Sequence, residues 1–287
     1  MKEYLLPFLP LCIIEMILDY LKNVIVIVDK YDIYLFDGQK IVKFIDAENY
    51  KPEEPFLHTV SIDFRNNRML IFSFPERKWI DFINVIENEK DWMRYNFIKV
   101  SSFIYFFGQN RDNSHINKTY QFDLRNNTSK ELPSMNTFKY SHIMVSLNNK
   151  LYSIGGVGKK YSYLNTVECY NNTSWINCSS LKHPLTGHQC VVYGEKIYVF
   201  GGYNLGANFL TVERYDPETD QWTEVTKMPI YRKRFNAIVL ENKIYIIGEL
   251  DSVNSLNDKI DIYSPNTNTW TVLRTGISLH DVHLGIL

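Results

Sequence analysis

The sequence predicts an all-β protein assembled from repeated units, and three observations support this prediction. Aromatic residues make up 15% of the chain, and aromatic rings pack well on pleated, half-buried sheet surfaces. A strand pattern that ends in one or two glycines recurs along the sequence, in residues 101–109, 148–156, 195–202 and 241–249. The aligned glycines of these copies are 47, 46 and 47 residues apart. A period of this length with strand signals in each unit is typical of β-propeller blades, not of helical repeats.

Each unit has the same internal order of four strands. In the last complete unit, a strand at 235–240 is followed by a tight turn and a second strand at 243–248. A polar loop then leads to a third strand, and a turn joins the third strand to a fourth that begins at a tryptophan. A tyrosine and a tryptophan flank this turn in three units, as the pairs Tyr170 and Trp175, Tyr215 and Trp222, and Tyr263 and Trp270.

The earlier part of the chain is predicted to form more degenerate units of the same kind. Residues 60–74 align with 143–156, although both glycines are replaced, and residues 23–29 fit the second strand of a first unit. Extending the repeat by one period beyond Gly248 places an opening strand at 282–287, which would complete that first unit. The sequence therefore predicts a six-bladed propeller over 23–287, closed by its C-terminal strand so that no sheet edge stays open. The predicted blades are 24–45 with 282–287, 57–93, 95–133, 138–182, 187–228 and 233–274.

The first 22 residues precede the repeats and include the most apolar stretch of the chain, at 5–21. Two prolines and two acidic residues interrupt this stretch, and it is shorter than the roughly 20 apolar residues that a membrane span needs. Its apolar residues recur at helical spacing, which predicts a short amphipathic helix. A secretory signal is the alternative, but Lys2 and Glu3 leave the start without net positive charge. We therefore expect a cytoplasmic protein.

The repeated residues resemble the kelch repeat. Its signature is a double glycine followed by a spaced tyrosine and tryptophan, and the three units between about 138 and 274 match it. Glycine lets the second strand end with positive φ where backbones crowd, and the tryptophan would fill the gap between adjacent blades. The residues that carry the kelch motif are Gly108, Gly155, Gly156, Gly201, Gly202, Gly248, Tyr170, Trp175, Tyr215, Trp222, Tyr263 and Trp270.

The resemblance implies a role in recognising other proteins. Kelch propellers often serve as substrate-recognition modules of cullin-RING ubiquitin ligases, attached to an N-terminal BTB or F-box domain. The chain also resembles the kelch-like proteins of poxviruses, which are likewise rich in Ile, Asn, Lys, Tyr and Phe and have degenerate blades. Residues 9–21 resemble the opening of an F-box, and residues 13–23 resemble a helix of BTB domains. A complete domain of either kind is far longer, so these residues are expected to be a remnant.

Other kelch propellers are enzymes, including copper-radical oxidases of the galactose oxidase type and sialic acid mutarotases. The seven histidines are scattered, without a carboxylate or cysteine at metal-ligand spacing, so we expect neither a metal nor another cofactor. A mutarotase would need a polar cup of arginines and acids, to which Arg232, Lys233 and Arg234 could contribute. Arg232, however, falls where kelch repeats commonly carry a structural arginine. A nearly equal number of basic and acidic residues, 31 and 32, argues against nucleic-acid binding and against a polybasic membrane anchor.

A protein-binding surface is the leading hypothesis. Loops cluster at the faces of a propeller, and the candidate loops are 109–118, 157–165, 203–211 and 249–257. Aromatic residues and arginine are enriched at the energetic centres of interfaces. We expect a partner-binding set composed of Tyr161, Tyr163, Tyr203, Asn204, Phe209, Arg232 and Arg234. Of these, Tyr161, Tyr163, Tyr203, Phe209 and Arg232 are expected to be exposed. The alternative for each residue is that it packs within its own loop.

The sequence thus predicts a non-catalytic protein-interaction module that binds a target protein. It would be a viral kelch-like substrate adaptor or decoy, with residues 1–22 as a contact to cullin-RING ligase components. The alternatives are a sugar-active propeller enzyme such as a sialic acid mutarotase, and a gene fragment that folds but does little.

Overall fold

Up to residue 81, the computed structural model describes the residues of the strands alone. Beyond this point it describes residues 94–109, 119–123, 125–126, 128–250, 258–275 and 282–286. The first ten strands are β1 (Ile25–Asp29), β2 (Asp32–Phe36), β3 (Ile41–Ile45), β4 (Ser61–Asp63), β5 (Arg68–Ser73), β6 (Lys78–Asp81), β7 (Arg94–Val100), β8 (Phe103–Gln109), β9 (Thr119–Asp123) and β10 (Thr128–Leu132). The next ten are β11 (Ile143–Leu147), β12 (Lys150–Ile154), β13 (Val167–Tyr170), β14 (Trp175–Cys178), β15 (Gln189–Tyr193), β16 (Lys196–Phe200), β17 (Tyr203–Asn204), β18 (Ala207–Asn208), β19 (Thr211–Asp216) and β20 (Gln221–Lys227). The last five are β21 (Arg232–Leu240), β22 (Lys243–Leu250), β23 (Lys259–Ser264), β24 (Thr269–Arg274) and β25 (Val282–Ile286).

These strands confirm the predicted all-β class. A single 3₁₀ turn, Lys159–Tyr161, is the one helical element in the part of the chain that the structure describes. The helix predicted within residues 1–22 lies outside that part. None of the described residues belongs to a helix long and apolar enough to cross a bilayer.

The strands form five four-stranded sheets, all antiparallel, and one three-stranded sheet. Three of the four-stranded sheets belong to one compact unit of the chain, in the orders β10-β9-β8-β7, β11-β12-β13-β14 and β15-β16-β19-β20. Two belong to another unit, in the orders β21-β22-β23-β24 and β25-β1-β2-β3. The three-stranded sheet has the order β4-β5-β6, and β17 and β18 form a small separate hairpin. The predicted arrangement of six blades in a ring, and their boundaries, stay predictions.

The strand near the C-terminus belongs to the same sheet as the first strands of the chain. β25 pairs with β1 from Ile25 opposite Ile286 to Asp29 opposite Val282, and β1 pairs in turn with β2. This is the pairing that the repeat spacing predicts.

Consecutive sheets of the larger unit share hydrophobic cores. The central strands β12, β13 and β16 are buried over almost their whole length, whereas β20 is mostly exposed. One core combines Val145 and Ile154 of one sheet with Ile197, Val199 and Tyr215 of the next. Because two sheets cover these side chains, the loops that follow the strands are mounted on a rigid support.

The double glycines end the second strand of two units in the same way. Gly155 and Gly156 have φ values of 60° and 98°, and Gly201 and Gly202 have 57° and 98°. A Cβ atom at Gly156 would lie 2.6 Å from the carbonyl oxygen of Tyr140. Both the positive φ and the close backbone approach therefore require glycine, as the sequence predicts.

Two of the tyrosine–tryptophan pairs connect consecutive sheets. The Tyr215 and Trp222 rings are 4.9 Å apart, and the Trp222 indole Nε1 donates to the carbonyl oxygen of Ser179 at 2.8 Å. Ser179 directly follows β14 of the preceding sheet, so the indole joins two consecutive sheets. Trp175 likewise donates to the carbonyl oxygen of Pro133, which follows β10.

Candidate functional site

Two of the predicted loops lie side by side, held by the short segment that enters the next sheet. The Leu185 amide donates to the Leu164 carbonyl oxygen at 3.0 Å, and the Leu185 carbonyl accepts from the Gly156 amide at 2.8 Å. Thr186 exchanges two backbone hydrogen bonds with Tyr203, at 3.0 and 2.8 Å. The loop at 157–165 and the β17–β18 hairpin are therefore fixed to the same segment. We call the surface that they form the loop surface, made of Lys159, Lys160, Tyr161, Tyr163, Tyr203 and Leu205.

The loop at 157–165 is tightly closed below its tip. The Gly158 amide donates to the Ser162 carbonyl oxygen at 2.7 Å, and the Ser162 hydroxyl lies 2.9 Å from the Lys159 carbonyl oxygen. At the tip, Lys160 and Tyr161 both adopt left-handed conformations, with φ values of 54° and 60°. This conformation costs roughly 1–2 kcal/mol for a residue other than glycine.

Tyr161 is exposed, as predicted, and does not pack within its loop. Its relative exposure is 78%. The alternative reading of this residue, that it packs its own loop, is therefore wrong. A large ring held out by a strained backbone is typical of positions where strain serves binding.

Tyr163 and Tyr203 form the more buried part of the loop surface. Their rings meet edge to face with centroids 6.4 Å apart, and Tyr203 is 38% exposed. The Tyr203 ring lies over Gly187, where a Cβ atom would come within 2.5 Å of it. Asn204 is turned towards the protein, since its side-chain amide donates to the Pro184 carbonyl oxygen at 3.1 Å. Leu205, which the sequence analysis did not single out, is 84% exposed beside it.

Phe209 is half-buried, and its ring packs against the rest of the protein. Its ring stacks on His183 at 4.8 Å between centroids, and it also packs against the core shared by two sheets. The prediction of an exposed Phe209 is therefore wrong, because this ring covers the core.

The prediction of an exposed Arg232 is also wrong. Its side chain is fully buried, and its Nε donates to Asp261 Oδ2 at 2.8 Å. Its two terminal nitrogens donate to the carbonyl oxygens of Gly248 and Lys259. A partner cannot reach this guanidinium, which instead links β21 to β22 and β23. Arg234 lies in β21, and its side chain is outside the described part of the chain.

A buried ion pair of the same kind occurs in another unit. Lys139 Nζ lies 3.1 Å from Glu168 Oε1, and both side chains are completely buried. Burial lowers the pKa of Lys139, and the adjacent Glu168 carboxylate opposes this shift. Lys139 precedes Glu168 by the same 29 residues that separate Arg232 from Asp261, and this spacing is the sequence signal that could have identified both pairs as structural.

Other titratable groups of the described residues are buried as well. Burial lowers the pKa of His142 and brings that of His188 to about 4, and it raises the pKa of the Cys190 thiol. Within the described ranges, no three His, Cys, Asp or Glu side chains converge where they could hold a metal ion. These groups belong to the packed interior, whereas the loop surface is exposed, and we therefore take the loop surface as the candidate site.

Comparison with known proteins identifies the family. Residues 94–280 match the family model described as KLHDC2/KLHL20/DRC7 Kelch-repeats domain. Human Kelch-like protein 15 is 30% identical over 195 residues, which cover 60% of this chain and 32% of that protein. Kelch-like protein 26 of Danio rerio is 34% identical over 133 residues, which cover 44% of this chain and 22% of that protein.

The matched region thus spans about a third or less of these curated relatives. The solved structure of YjhT superimposes with a TM-score of 0.54 at 17% identity, covering 67% of this chain and 68% of YjhT, which is a likeness of fold. The family model covers well over half of the 287 residues, so the chain belongs to the kelch-repeat family.

Proposed function

We propose that this chain is a non-catalytic protein-interaction module that binds a target protein through the loop surface. The observation that carries the proposal is Tyr161, whose ring is 78% exposed on a backbone with positive φ at two successive residues. Tyrosine is among the residues enriched at the energetic centres of protein interfaces. Binding of a partner would bury this ring and offset the conformational cost of its loop.

The way in which backbone hydrogen bonds hold the two loops in place supports the same proposal. Backbone hydrogen bonds join both loops to Leu185 and Thr186, and both of these residues are buried. A preorganised surface loses little conformational entropy on binding, which favours affinity. The kelch-like relatives and the membership in the kelch-repeat family are consistent with an interaction role.

A finer form of the proposal is a viral kelch-like adaptor or decoy in the cytoplasm. In this form, residues 1–22 would contact cullin-RING ligase components while the loop surface holds the target. The resemblance of residues 9–21 to the opening of an F-box supports it.

Affinity purification with mass spectrometry tests the proposal. The wild-type chain is compared with Tyr161→Ala/Leu205→Ala, and with Ile176→Ala as a control for an exposed apolar residue on a strand, 44% exposed in β14. A target should be recovered with the wild type and with Ile176→Ala, and lost with the double variant. Retention of every recovered protein by the double variant would contradict the use of the loop surface.

The ligase contact is tested by comparing residues 1–287 with 23–287, after thermal unfolding has shown that the shorter chain folds. Cullin or its adaptors recovered with the longer chain alone would support the finer form. One reproducible partner with both chains, without ligase components, would leave a sequestering module. Conversion of a sialic acid by the purified chain would overturn the non-catalytic assignment.

A further inference from the structure

We infer that the loop surface takes a partner segment in which carboxylates flank an apolar or aromatic side chain. This inference rests on the proposed function and specifies the chemistry of the partner. Its basis is the juxtaposition of two exposed lysines with exposed rings and a leucine on adjacent loops.

The segments that build the loop surface carry only positive charge. Residues 155–166, 179–188 and 200–211 contain no aspartate or glutamate, although the whole chain has 32 acidic residues against 31 basic ones. Lys159 and Lys160 are exposed at the tip of their loop, and neither forms an ion pair with any residue that the structure describes. This local absence of carboxylates leaves the charge of both ammonium groups available to a ligand.

Lys159 is also held in place. Its Nζ lies 5.5 Å from the centre of the Phe138 ring, which is within the range of a cation–π interaction. Lys160 has a left-handed backbone conformation and lies immediately before Tyr161. Two adjacent exposed cations next to an exposed ring would select an acidic segment and fix its register.

The apolar residues of the loop surface would contribute most of the binding affinity. Exposed ion pairs contribute little affinity because water screens them, whereas buried aromatic surface dominates the energetics of interfaces. Tyr161 and Leu205 are 78% and 84% exposed, and Tyr203, in β17 of the hairpin, is 38% exposed with its ring over Gly187. Apolar side chains of the partner would cover these groups while neighbouring carboxylates reach the lysines.

A polyanion such as nucleic acid fits this surface less well. Two lysines would neutralise few phosphates, and the chain as a whole has a net charge of −1. A short oligonucleotide therefore serves as the competing ligand in the test.

The test uses the full chain and sets of fluorescein-labelled 12-residue peptides. Each set has a fixed amino-acid composition, and the order of residues within its peptides is randomised. Four composition classes are compared by fluorescence polarisation: acidic with Leu and Tyr, acidic with Ser, neutral with Leu and Tyr, and basic with Leu and Tyr. We expect binding in the first class, and an affinity about tenfold lower or worse in the other three. Lys159→Glu/Lys160→Glu should remove this preference, and the variant should still unfold cooperatively on heating.

Lys150→Glu is the matched control, because this exposed lysine begins β12 whereas the loop surface follows the end of that strand. It should bind the acidic apolar class like the wild type. Equal binding of neutral or basic peptides, binding by no class at millimolar peptide, or full competition by a twelve-residue oligothymidine would each overturn the inference. If Tyr161→Ala/Leu205→Ala loses a cellular target that Lys159→Glu/Lys160→Glu retains, the proposed function stands and the acidic partner does not.

Discussion

Leu185 occupies in its repeat the position that Lys139 holds in the preceding repeat, and the carboxylate that such a cation would meet is Glu213. The strand pairing shows this equivalence. Glu168 lies opposite Ser153 and Glu213 opposite Val199, and Ser153 and Val199 each lie two residues before a double glycine. The residues that follow Lys139 and Leu185 pair with Val157 and Tyr203, each directly after a double glycine. Without a cation, Glu213 Oε1 has no hydrogen-bond partner among the described residues, and Oε2 accepts only a 3.3 Å bond from the Lys182 amide. Burial accordingly raises the pKa of Glu213.

Glu213→Gln should therefore stabilise the protein at neutral pH, by about 1–2 kcal/mol. A carboxyl group with a raised pKa in the folded state binds its proton more tightly there than in the unfolded chain, where its pKa is about 4.3. Stability consequently falls as pH rises from the unfolded pKa through the folded one, and this loss disappears in Glu213→Gln. Urea unfolding of both proteins between pH 4 and pH 8 measures the difference, which should vanish at the acidic end.

Glu168→Gln provides the matched control and should have the opposite effect. It leaves Lys139 charged and buried without its partner, which costs about 3–5 kcal/mol for pairs of this kind. If both substitutions destabilise the protein equally at pH 7, then Glu213 is not an unpaired acid.

Arg232→Met should destabilise the protein by about 3–5 kcal/mol, because Asp261 then stays buried without a cation. The carbonyl oxygens of Gly248 and Lys259 lose their donors as well. Arg232→Met/Asp261→Leu, which removes both charges, should lose less than the single variant. Guanidinium unfolding measures all three proteins, with Lys243→Met, at an exposed position that begins β22, as a control expected to change stability by less than about 0.5 kcal/mol. A single variant as stable as this control would contradict the buried pair.

Trp222→Phe should cost about 1 kcal/mol, the usual value of one hydrogen bond. The phenyl ring can still pack against Tyr215, but the bond from the indole Nε1 to the Ser179 carbonyl oxygen is lost. Trp222→Ala also removes the ring contact and should cost clearly more. Chemical unfolding followed by circular dichroism compares them, and equal stabilities of the two variants would show that the ring contributes nothing.

Gly202→Ala should cost at least about 2 kcal/mol, through backbone strain and a collision. Its φ is 98°, and the new Cβ atom would lie 2.9 Å from the Thr186 carbonyl oxygen. Gly194→Ala is the control, with a φ of 54° and no atom within 4 Å of the new Cβ, so it should cost only about 1 kcal/mol. Thermal unfolding ranks the two, and an equal loss of stability would mean that the approach of Thr186 is unimportant.

The strands were largely predictable because their signals are local. The predicted strands at 235–240 and 243–248 correspond to β21 (Arg232–Leu240) and β22 (Lys243–Leu250). β21 begins three residues earlier than predicted, since Arg232 pairs with Leu250 across an irregularity in register. Residue type and spacing determine such elements, whereas a bulge depends on the partner strand.

The candidate site was less predictable because exposure depends on tertiary contacts. The Tyr161 ring is exposed, whereas Arg232 is buried and bonded to an aspartate that lies two strands away in the same sheet. Lys160 and Leu205 were not predicted to belong to the binding surface, because their residue types do not distinguish them from other lysines and leucines of the chain. Their positions become informative only once the φ angles and the bonds of Leu185 and Thr186 are known.

The pairing of β25 with β1 has a consequence for biosynthesis. Most partners among the described strands lie within about 50 residues of each other, so their sheets can form during translation. The partner of β1 on one side is instead β25, which lies about 250 residues downstream. Until β25 has been translated, β1 lacks this partner and its edge is open to neighbouring nascent chains and chaperones. A premature stop that removes β25 would therefore damage the sheet of β1, β2 and β3.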